Sequence, residues 1–288
     1  MKRFLTQIVV FFGLVTVIDV GSGFGFEYLK SHAKGGDTYK NYYLAEKCED
    51  DVLILGSSRA ARHYVPSVFE DLLELTCYNA GEPGCGIIPA YAQYKMVVER
   101  HKPQLVIFEV TPNYDYYISD DYSKYLGRIR QYGYKDAVRE LYSSFGDKWD
   151  NVKALSNMYR NNSSIVHNLL DQFSHSFNKG YEPLYGILSL SAIEKSETEN
   201  KKNKKNNKDY TIDTLKLQYV QKLIQATKRD TVPLVFVISP SYYVLTYEER
   251  KQYNEAIELA QAYSIPFLDC SEVENIMAIV NYSRISST

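Results

Sequence analysis

The sequence of 288 residues is poor in the side chain that most often serves as a catalytic base. No histidine follows residue 175, and the five that are present are His32, His63, His101, His167 and His175. Tryptophan occurs once, whereas tyrosine occurs 27 times. Because histidine is the usual partner of a serine or cysteine nucleophile, its distribution limits which catalytic arrangements the chain can build.

Cysteine is also scarce and is spread widely along the chain. The four cysteines are Cys48, Cys77, Cys85 and Cys270. They form no CxxC pair and no cluster with histidine, so the patterns typical of zinc sites are absent. A Cys77–Cys85 disulfide and unpaired buried thiols both stay open. We expect no metal and no cofactor.

Neither charge sign dominates the composition. Lys and Arg number 33 against 35 Asp and Glu, which gives a net charge of -2. This balance argues against broad nucleic-acid binding, which needs a basic face. The hydrophobic share of 45% and the charged share of 24% are ordinary for a globular protein. The length predicts one large domain or two small ones.

The N-terminal residues predict a membrane segment. Lys2 and Arg3 precede an uncharged run over residues 4–18, which is about 22 Å long as a helix and too short to span a bilayer. Continued through Asp19 to residue 26, the helix reaches about 34 Å, which is enough. The basic end predicts a cytoplasmic N-terminus, with most of the chain outside the cytoplasm on a single-pass anchor. A cleaved signal peptide or a buried helix are the alternatives.

Beyond residue 28, hydrophobic patterning predicts a tether over residues 29–50 and an α/β domain over residues 51–288. Strands are predicted at 51–56, 77–81, 104–110, 233–238 and 265–269, and helices at 61–75, 88–100, 215–228 and 248–263. Strands alternating with helices predict a parallel sheet flanked by helices. Short helices are expected in an insertion at about 116–209. The lysine-rich run at 201–208 is expected to be a solvated loop.

Three polar blocks follow the first three predicted strands, where open α/β sheets bind ligands. The first is Gly56-Ser57-Ser58-Arg59, in which a serine on a tight turn before a helix is either a nucleophile or a helix cap. The second runs from Asn79 through Gly81 to Gly84, and the third is Thr111-Pro112-Asn113. Each alone is also typical of an ordinary turn. Following three successive parallel strands, they are expected to converge.

In these blocks the sequence resembles the SGNH (GDSL-like) superfamily of hydrolases and acyltransferases, and most of all its membrane-anchored bacterial members. The resemblance covers residues 51–115 well and 211–269 loosely. It implies a three-layer, flavodoxin-like α/β fold and a serine esterase or O-acyltransferase. By resemblance, Ser58 is the nucleophile, and the oxyanion is held by the Ser58 amide, Gly84 and Asn113.

The chain departs from this family at the fourth block, a late D-x-x-H that supplies the base. No such motif follows Asp269, and Asp115 and Asp120 have no histidine placed for them to orient. His63 is expected to point along its helix and His101 to lie at the wrong end of a strand, while His167 and His175 fall in the insertion. Either the chain is truncated or it is a natural non-catalytic relative. Both explanations predict very low esterase activity.

These expectations define an exported membrane protein that acts on acyl esters of a cell-surface glycan or on another small ester, with its membrane contact at residues 4–26 and no nucleic-acid partner. The choice of a glycan as substrate rests on the predicted membrane topology and on the abundance of tyrosine. The alternative is a non-catalytic surface-binding or scaffold protein of the same fold. A nucleotide-binding Rossmann domain is disfavoured, because no G-x-G-x-x-G follows the first strand.

Overall fold

A five-stranded parallel sheet lies at the centre of the molecule. The computed structural model describes residues 1–117, 122, 125, 129–146, 149–175, 178–185, 211–240 and 247–271. Its strands are β1 (Val52–Gly56), β2 (Cys77–Asn79), β3 (Leu105–Glu109), β4 (Leu234–Ile238) and β5 (Phe267–Asp269). They are ordered β2-β1-β3-β4-β5, and every neighbouring pair is parallel. All five carboxyl ends therefore share one edge.

The helices surround this sheet and continue into the insertion. The α-helices are α1 (Lys2–His32), α2 (Gly36–Glu46), α3 (Ser58–His63), α4 (Pro66–Leu73), α5 (Ile87–Val98), α6 (Pro112–Asp115), α7 (Asp136–Phe145), α8 (Asp150–Lys153), α9 (Asn157–Asn161), α10 (Ile165–Leu170), α11 (Thr214–Asp230) and α12 (Tyr247–Ala262). Two short 3-10 helices cover Arg130–Tyr132 and Asn178–Gly180.

The two faces of the sheet carry separate apolar clusters, because successive side chains of a strand point to opposite faces. Leu53 and Leu55 of β1 belong to the larger cluster, together with buried residues of α2, α5, α11 and α12. Val52 and Ile54 belong to the smaller cluster, which includes Ala60 of α3. A strand buried on both faces reads as a continuous apolar run, which explains why VLIL was recognisable in the sequence.

The predicted parallel α/β sheet is confirmed, with strand and helix ends shifted by a few residues. The helix expected over residues 61–75 is divided into α3 and α4. Val65 is extended there (φ -93°, ψ 110°), since the residue before a proline is disfavoured in the α region. Pro66 then begins α4, a position where its missing N–H costs nothing.

The stretch expected to be a polar tether is instead part of the folded body. Residues 29–32 continue α1, and residues 36–46 form α2, whose Leu44 and Ala45 are fully buried in the larger cluster. Arg100 at the end of α5 donates to the Leu44 carbonyl (2.9 Å) and to the Ala45 carbonyl. The polar composition misled the prediction because Thr38, Lys40 and Asn41 of α2 are buried as well, where each forms hydrogen bonds.

The insertion leaves and rejoins the sheet domain at one point. An antiparallel bridge pairs Tyr117 with Ile212, and Asp213 caps α11 by accepting from the Leu215 amide (2.9 Å). Between them, the described part contains short helices, as expected. The lysine run at 201–208, Asp120 and residues 272–288 lie outside the described residues. Cys77 and Cys85 are both buried, and neither is in a disulfide.

The N-terminal helix meets the requirements for crossing a bilayer. Within the described residues, α1 is the one helix that is long and apolar enough to do so. Its 31 residues rise about 46 Å, more than the hydrocarbon thickness of about 30 Å.

Candidate active site

A glycine turn at the end of β1 positions the first polar block. Gly56 has φ +139°, a conformation that L side chains rarely adopt. A Cβ atom there would also lie 2.8 Å from the Glu109 carbonyl oxygen. Glycine is therefore required by both the backbone conformation and the close approach of β3. The turn delivers the next two residues to the carboxyl edge of the sheet.

The two serines after this turn have different surroundings. Ser57 is fully buried, and its Oγ lies 2.8 Å from Thr111 Oγ1 of the third block. Ser58 is partly exposed at the first position of α3, and no hydrogen bond to its hydroxyl occurs among the described residues. Neither serine side chain caps α3. The first serine therefore ties two loops together, while the second presents its hydroxyl to the surface.

The second block divides its roles among Asn79, Gly81 and Gly84. Asn79 donates from Nδ2 to the carbonyls of Ala60 (2.7 Å) and Tyr64 (2.8 Å) and so fixes α3 against β2. The Gly81 N–H donates to Asn79 Oδ1 (2.9 Å), so this amide already has an acceptor. Gly84 has φ +76°, and a Cβ there would meet nothing within 4 Å. Of the two glycines, Gly84 is the one beside open space.

The third block forms the short helix α6. Asn113 is exposed on it, and its backbone carbonyl accepts from Lys216 Nζ (3.1 Å). Asp115, in contrast, is completely buried and accepts from the Thr111 amide (2.6 Å). Burial raises the pKa of Asp115 to about 7, which the Thr111 hydrogen bond and the nearby Lys216 oppose. The block thus contains a carboxyl group whose pKa lies close to neutral pH.

Backbone and side-chain contacts join the three blocks around the Gly56 turn. The Glu82 amide of the second block donates to the Gly56 carbonyl (3.0 Å), and Ser57 meets Thr111 of the third block on the other side. This arrangement follows from β2, β1 and β3 being neighbours in the sheet. The expected convergence of the blocks on one edge is therefore present in the fold. The roles assigned to Ser58, Gly84 and Asn113 stay predictions.

A buried polar network beside this turn was not anticipated from the sequence. Glu109, at the end of β3, is fully buried and accepts from Arg59 Nε (2.8 Å) and from Ser239 Oγ (2.8 Å). The Ser239 amide (3.0 Å) and the Tyr64 hydroxyl donate to its other oxygen. The available signal was a single acidic residue within the apolar strand sequence LVIFEV.

The network makes burial of a carboxylate tolerable. Burial raises the pKa of Glu109, and the Arg59 guanidinium and the hydrogen bonds from Tyr64 and Ser239 oppose that rise. Tyr64 responds to the same charge: burial and Glu109 raise the pKa of its hydroxyl. These contacts join α3, β3 and the residue after β4, so Glu109 fixes the helix that carries Ser58.

None of the five histidines forms a hydrogen bond with Ser58. His63 places Nδ1 2.7 Å from Ser239 Oγ, and desolvation together with Arg59 and Arg62 lowers its pKa. His101 precedes β3, at the amino edge of the sheet, and His32 is hydrogen-bonded at the end of α1. The remaining two, His167 and His175, are exposed in the insertion. His101 lies at the amino edge as expected, whereas His63 reaches Ser239 beyond β4 and does not bond to Ser58; no described residue is hydrogen-bonded to the Ser58 hydroxyl as a base would be.

A cavity of about 290 Å³ opens beside α3. Arg62 in its wall follows Ser58 by one helical turn, and residues four apart lie on the same side of a helix. The residues that give the cavity its chemistry are Asp37, Tyr39, Lys40, Arg62, Tyr78 and Tyr181. The Tyr78 hydroxyl and Arg62 Nε are buried without a hydrogen-bond partner. Unpaired buried polar atoms are costly, and a bound polar molecule would satisfy them.

Comparison with known proteins assigns no family to this arrangement. No family model matches the sequence, and no curated protein is significantly similar to it. Within the described part of the chain, no three His, Cys, Asp or Glu side chains are grouped to hold a metal ion.

Proposed function

We propose that the chain is an exported, membrane-anchored protein with a three-layer fold of the SGNH type, built for acyl transfer through Ser58. The observation that carries the proposal is the meeting of the three polar blocks at the Gly56 turn. Glu82 of the second block bonds to Gly56, and Thr111 of the third bonds to Ser57, which leaves Ser58 as the accessible hydroxyl of this turn.

The proposed reaction begins with attack by Ser58 Oγ on the carbonyl carbon of an ester. The oxyanion that forms would accept hydrogen bonds from the Ser58 amide, the Gly84 amide and the Asn113 side chain. The tetrahedral intermediate then expels the alcohol and leaves an acyl-serine, which water or a second hydroxyl group releases. A base must take the serine proton in the first step. Since no histidine forms a hydrogen bond with Ser58, we expect turnover by this chain to be very slow.

The proposed substrate is an acylated unit of a cell-surface glycan. The cavity beside α3 supports this choice, because the Tyr39 and Tyr181 rings suit the apolar faces of a sugar. Arg62 and the Tyr78 hydroxyl suit sugar hydroxyl groups. The wall carries two acidic and two basic side chains, Asp37 and Glu182 against Lys40 and Arg62, so its net charge does not favour an ionic ligand.

Chemical rescue of the missing base tests the enzyme proposal. The full chain in detergent is assayed on p-nitrophenyl acetate over a series of imidazole concentrations, beside Ser58→Ala and the surface control Ser143→Ala. We expect all three to be nearly inactive without imidazole. Added imidazole should accelerate the unmodified chain and Ser143→Ala more than Ser58→Ala. No Ser58-dependent acceleration at any concentration would refute the role of Ser58. A high Ser58-dependent rate without imidazole would refute the conclusion that Ser58 lacks a catalytic base.

A non-catalytic glycan-binding protein is the second candidate. The unpaired Tyr78 hydroxyl in the cavity and the absence of a histidine hydrogen-bonded to Ser58 both favour it. The test is calorimetric titration of the full chain with neutral acetylated oligosaccharides. If binding is lost in Tyr78→Ala and kept in Ser58→Ala, while imidazole rescue fails, the chain is a binder. Rescue by imidazole favours the enzyme.

A further inference from the structure

The insertion turns an apolar surface outward next to the N-terminal helix. Trp149, Val152 and Leu155 follow one another at intervals of three residues and are 56%, 55% and 77% exposed. Met158, one further interval on, is also exposed. The four side chains lie within ten residues, over α8 and the turn that leads into α9.

In helix α10 and the turn that follows it, apolar side chains are exposed and a polar side chain is buried. Val166, Leu169 and Phe173 are exposed, the last to 84%, as is Leu170 between them. The spacing i, i+3, i+4, i+7 defines one face of a helix, a face that soluble proteins turn inward. Asn168 is instead fully buried, where its Oδ1 accepts from Thr38 Oγ1 (3.0 Å). An amphipathic helix with its polar side inside has an apolar environment outside.

We call these eight exposed side chains the outer apolar face: Trp149, Val152, Leu155, Met158, Val166, Leu169, Leu170 and Phe173. The C-terminal part of α1 holds both halves of it. The Asp19 carboxylate accepts from the backbone amides of Asn157 (2.9 Å) and Met158 (3.0 Å). Ten residues later along α1, the Leu29 carbonyl accepts from Gln172 Nε2 (2.8 Å).

The contact with Asp19 sets the position of this face relative to the apolar end of α1. Residues 2–18 of α1 expose their large apolar side chains, as a lipid-facing segment would. Asp19 is the first acidic residue of α1 and is where the helix meets the protein. The predicted span ends at residue 26, about 10 Å beyond Asp19 and about 5 Å before Leu29 along α1, so the two contacts bracket the level at which α1 would leave the hydrocarbon.

We propose that the outer apolar face lies on the outer surface of the bilayer that α1 spans, and that the insertion is a membrane-surface platform. This inference rests on the proposed membrane anchoring. Exposed apolar surfaces of this kind are rare on soluble monomers and mark contacts with protein or membrane. Continuity with α1 selects the membrane, and tryptophan is a residue enriched at membrane interfaces. The carboxyl edge of the sheet would then be held at a constant distance from the membrane.

The only tryptophan of the chain makes the test direct. The full chain is reconstituted in phosphatidylcholine vesicles whose acyl chains carry bromine at shallow, middle or deep positions, and Trp149 emission is measured. We expect loss of fluorescence, greatest with the shallow bromines. Flotation of the same samples reports anchoring separately. A chain that does not float refutes the anchor, whereas a chain that floats with unquenched Trp149 emission refutes the platform alone.

A pair of matched variants excludes trivial explanations. Leu155 and Leu72 are both 77% exposed, and Leu72 lies on α4 away from α1. We expect Leu155→Asp to reduce quenching of Trp149 without changing flotation or circular dichroism, and Leu72→Asp to change neither. Equal effects of the two variants would overturn the proposal. So would protection of Trp149 from bromine that depends on protein density and is accompanied by cross-linked dimers, because the face would then be an interface between copies.

Discussion

Arg59 Nε lies 2.8 Å from Glu109 Oε1, and this ion pair joins the helix of Ser58 to the end of the central strand β3. Glu109 is fully buried, whereas the Arg59 side chain is 22% exposed. Ser239 completes the contact by donating from its hydroxyl to the same carboxylate oxygen (2.8 Å). The nucleophile proposed for this chain is therefore held by a charged network beside it.

Replacing Glu109 by Gln is expected to destabilise the protein strongly. The variant leaves the Arg59 guanidinium without its charge partner and places an amide N–H₂ against the donors of Tyr64 and Ser239. Removing one partner of a buried pair costs about 3–5 kcal/mol. Denaturant unfolding of the full chain in detergent measures the change.

The exposed pair Asp136–Arg139 supplies the control for Glu109. Its side chains are 90% and 55% exposed, so Asp136→Asn should cost less than about 1 kcal/mol. If the two substitutions had the same effect, the buried network would not be what holds α3 in place.

Asp115 predicts a pH dependence of stability. Its pKa is raised to about 7 by burial, so between about pH 4 and 7 the folded chain keeps a proton that the unfolded chain has lost. The stability that Asp115 contributes is therefore present at acid pH and lost as pH rises to 7. Asp115→Asn cannot titrate, and its Oδ1 can still accept from the Thr111 amide. The variant should gain stability relative to the unmodified chain over this interval, by at most roughly 4 kcal/mol.

Asp51 provides a control of opposite sign. Hydrogen bonds from Thr76 and Gln104 lower the pKa of Asp51, so its contribution is present above the ordinary value and is lost on acidification. Asp51→Asn should be less stable than the unmodified chain at pH 7 and approach it at acid pH. Thermal unfolding in detergent from pH 2 to 8 measures both differences, because the contribution of Asp51 is lost only below about pH 4. If the stability difference between Asp115→Asn and the unmodified chain did not change with pH, the raised pKa of Asp115 would be contradicted.

The unpaired hydroxyl of Tyr78 predicts an unusual effect of removing it. In Tyr78→Phe a buried donor without a partner disappears, so the unfolding free energy of the unliganded chain should stay the same or rise by about 1 kcal/mol. Tyr91 is the matched case, because its hydroxyl donates to Glu140 Oε2 (2.9 Å). Tyr91→Phe should destabilise by about 1 kcal/mol. Thermal unfolding compares the two, and a loss in Tyr78→Phe as large as in Tyr91→Phe would show that its hydroxyl is satisfied.

The contact between Asp19 and the insertion predicts a local effect on exchange. Asp19→Ala removes the acceptor of the Asn157 and Met158 amides, a loss comparable to that of a helix cap at about 1 kcal/mol. Hydrogen exchange of residues 156–161 in vesicles should therefore quicken. Thr16→Val is the control, because the Thr16 hydroxyl bonds only within α1, to the Phe12 carbonyl. If hydrogen exchange of these residues were unchanged in Asp19→Ala, the contact with Asp19 would not be what holds the insertion to α1.

The sheet and its helices were predictable because their signals are local. The runs VLIL and LVFVI read as strands buried on both faces, and the helices after them have apolar residues at helical spacing. The three polar blocks were recognisable for the same reason, since in a parallel sheet the residues following each strand reach one edge. The division of the helix expected over residues 61–75 was also predictable, because Pro66 disfavours helical backbone at the residue before it.

The features that were missed depend on contacts between distant parts of the chain. Helix α2 looks polar in sequence, and only its packing on α5 buries Leu44 and Ala45. Glu109 looked like one acidic residue in an apolar strand until folding brought Ser239 to its carboxylate, 130 residues away.

By itself, the sequence determined a parallel α/β domain, an apolar N-terminal helix, and a serine block with no histidine predicted beside it. Hydrophobic periodicity and residue identity are properties of short segments, so they survive without knowledge of the fold. The tertiary structure decided that Ser57 is buried while Ser58 is accessible, that His63 is hydrogen-bonded to Ser239, and that α10 exposes its apolar side chains. Each of these depends on which surface a side chain meets, and that is set by long-range packing and the burial of polar groups.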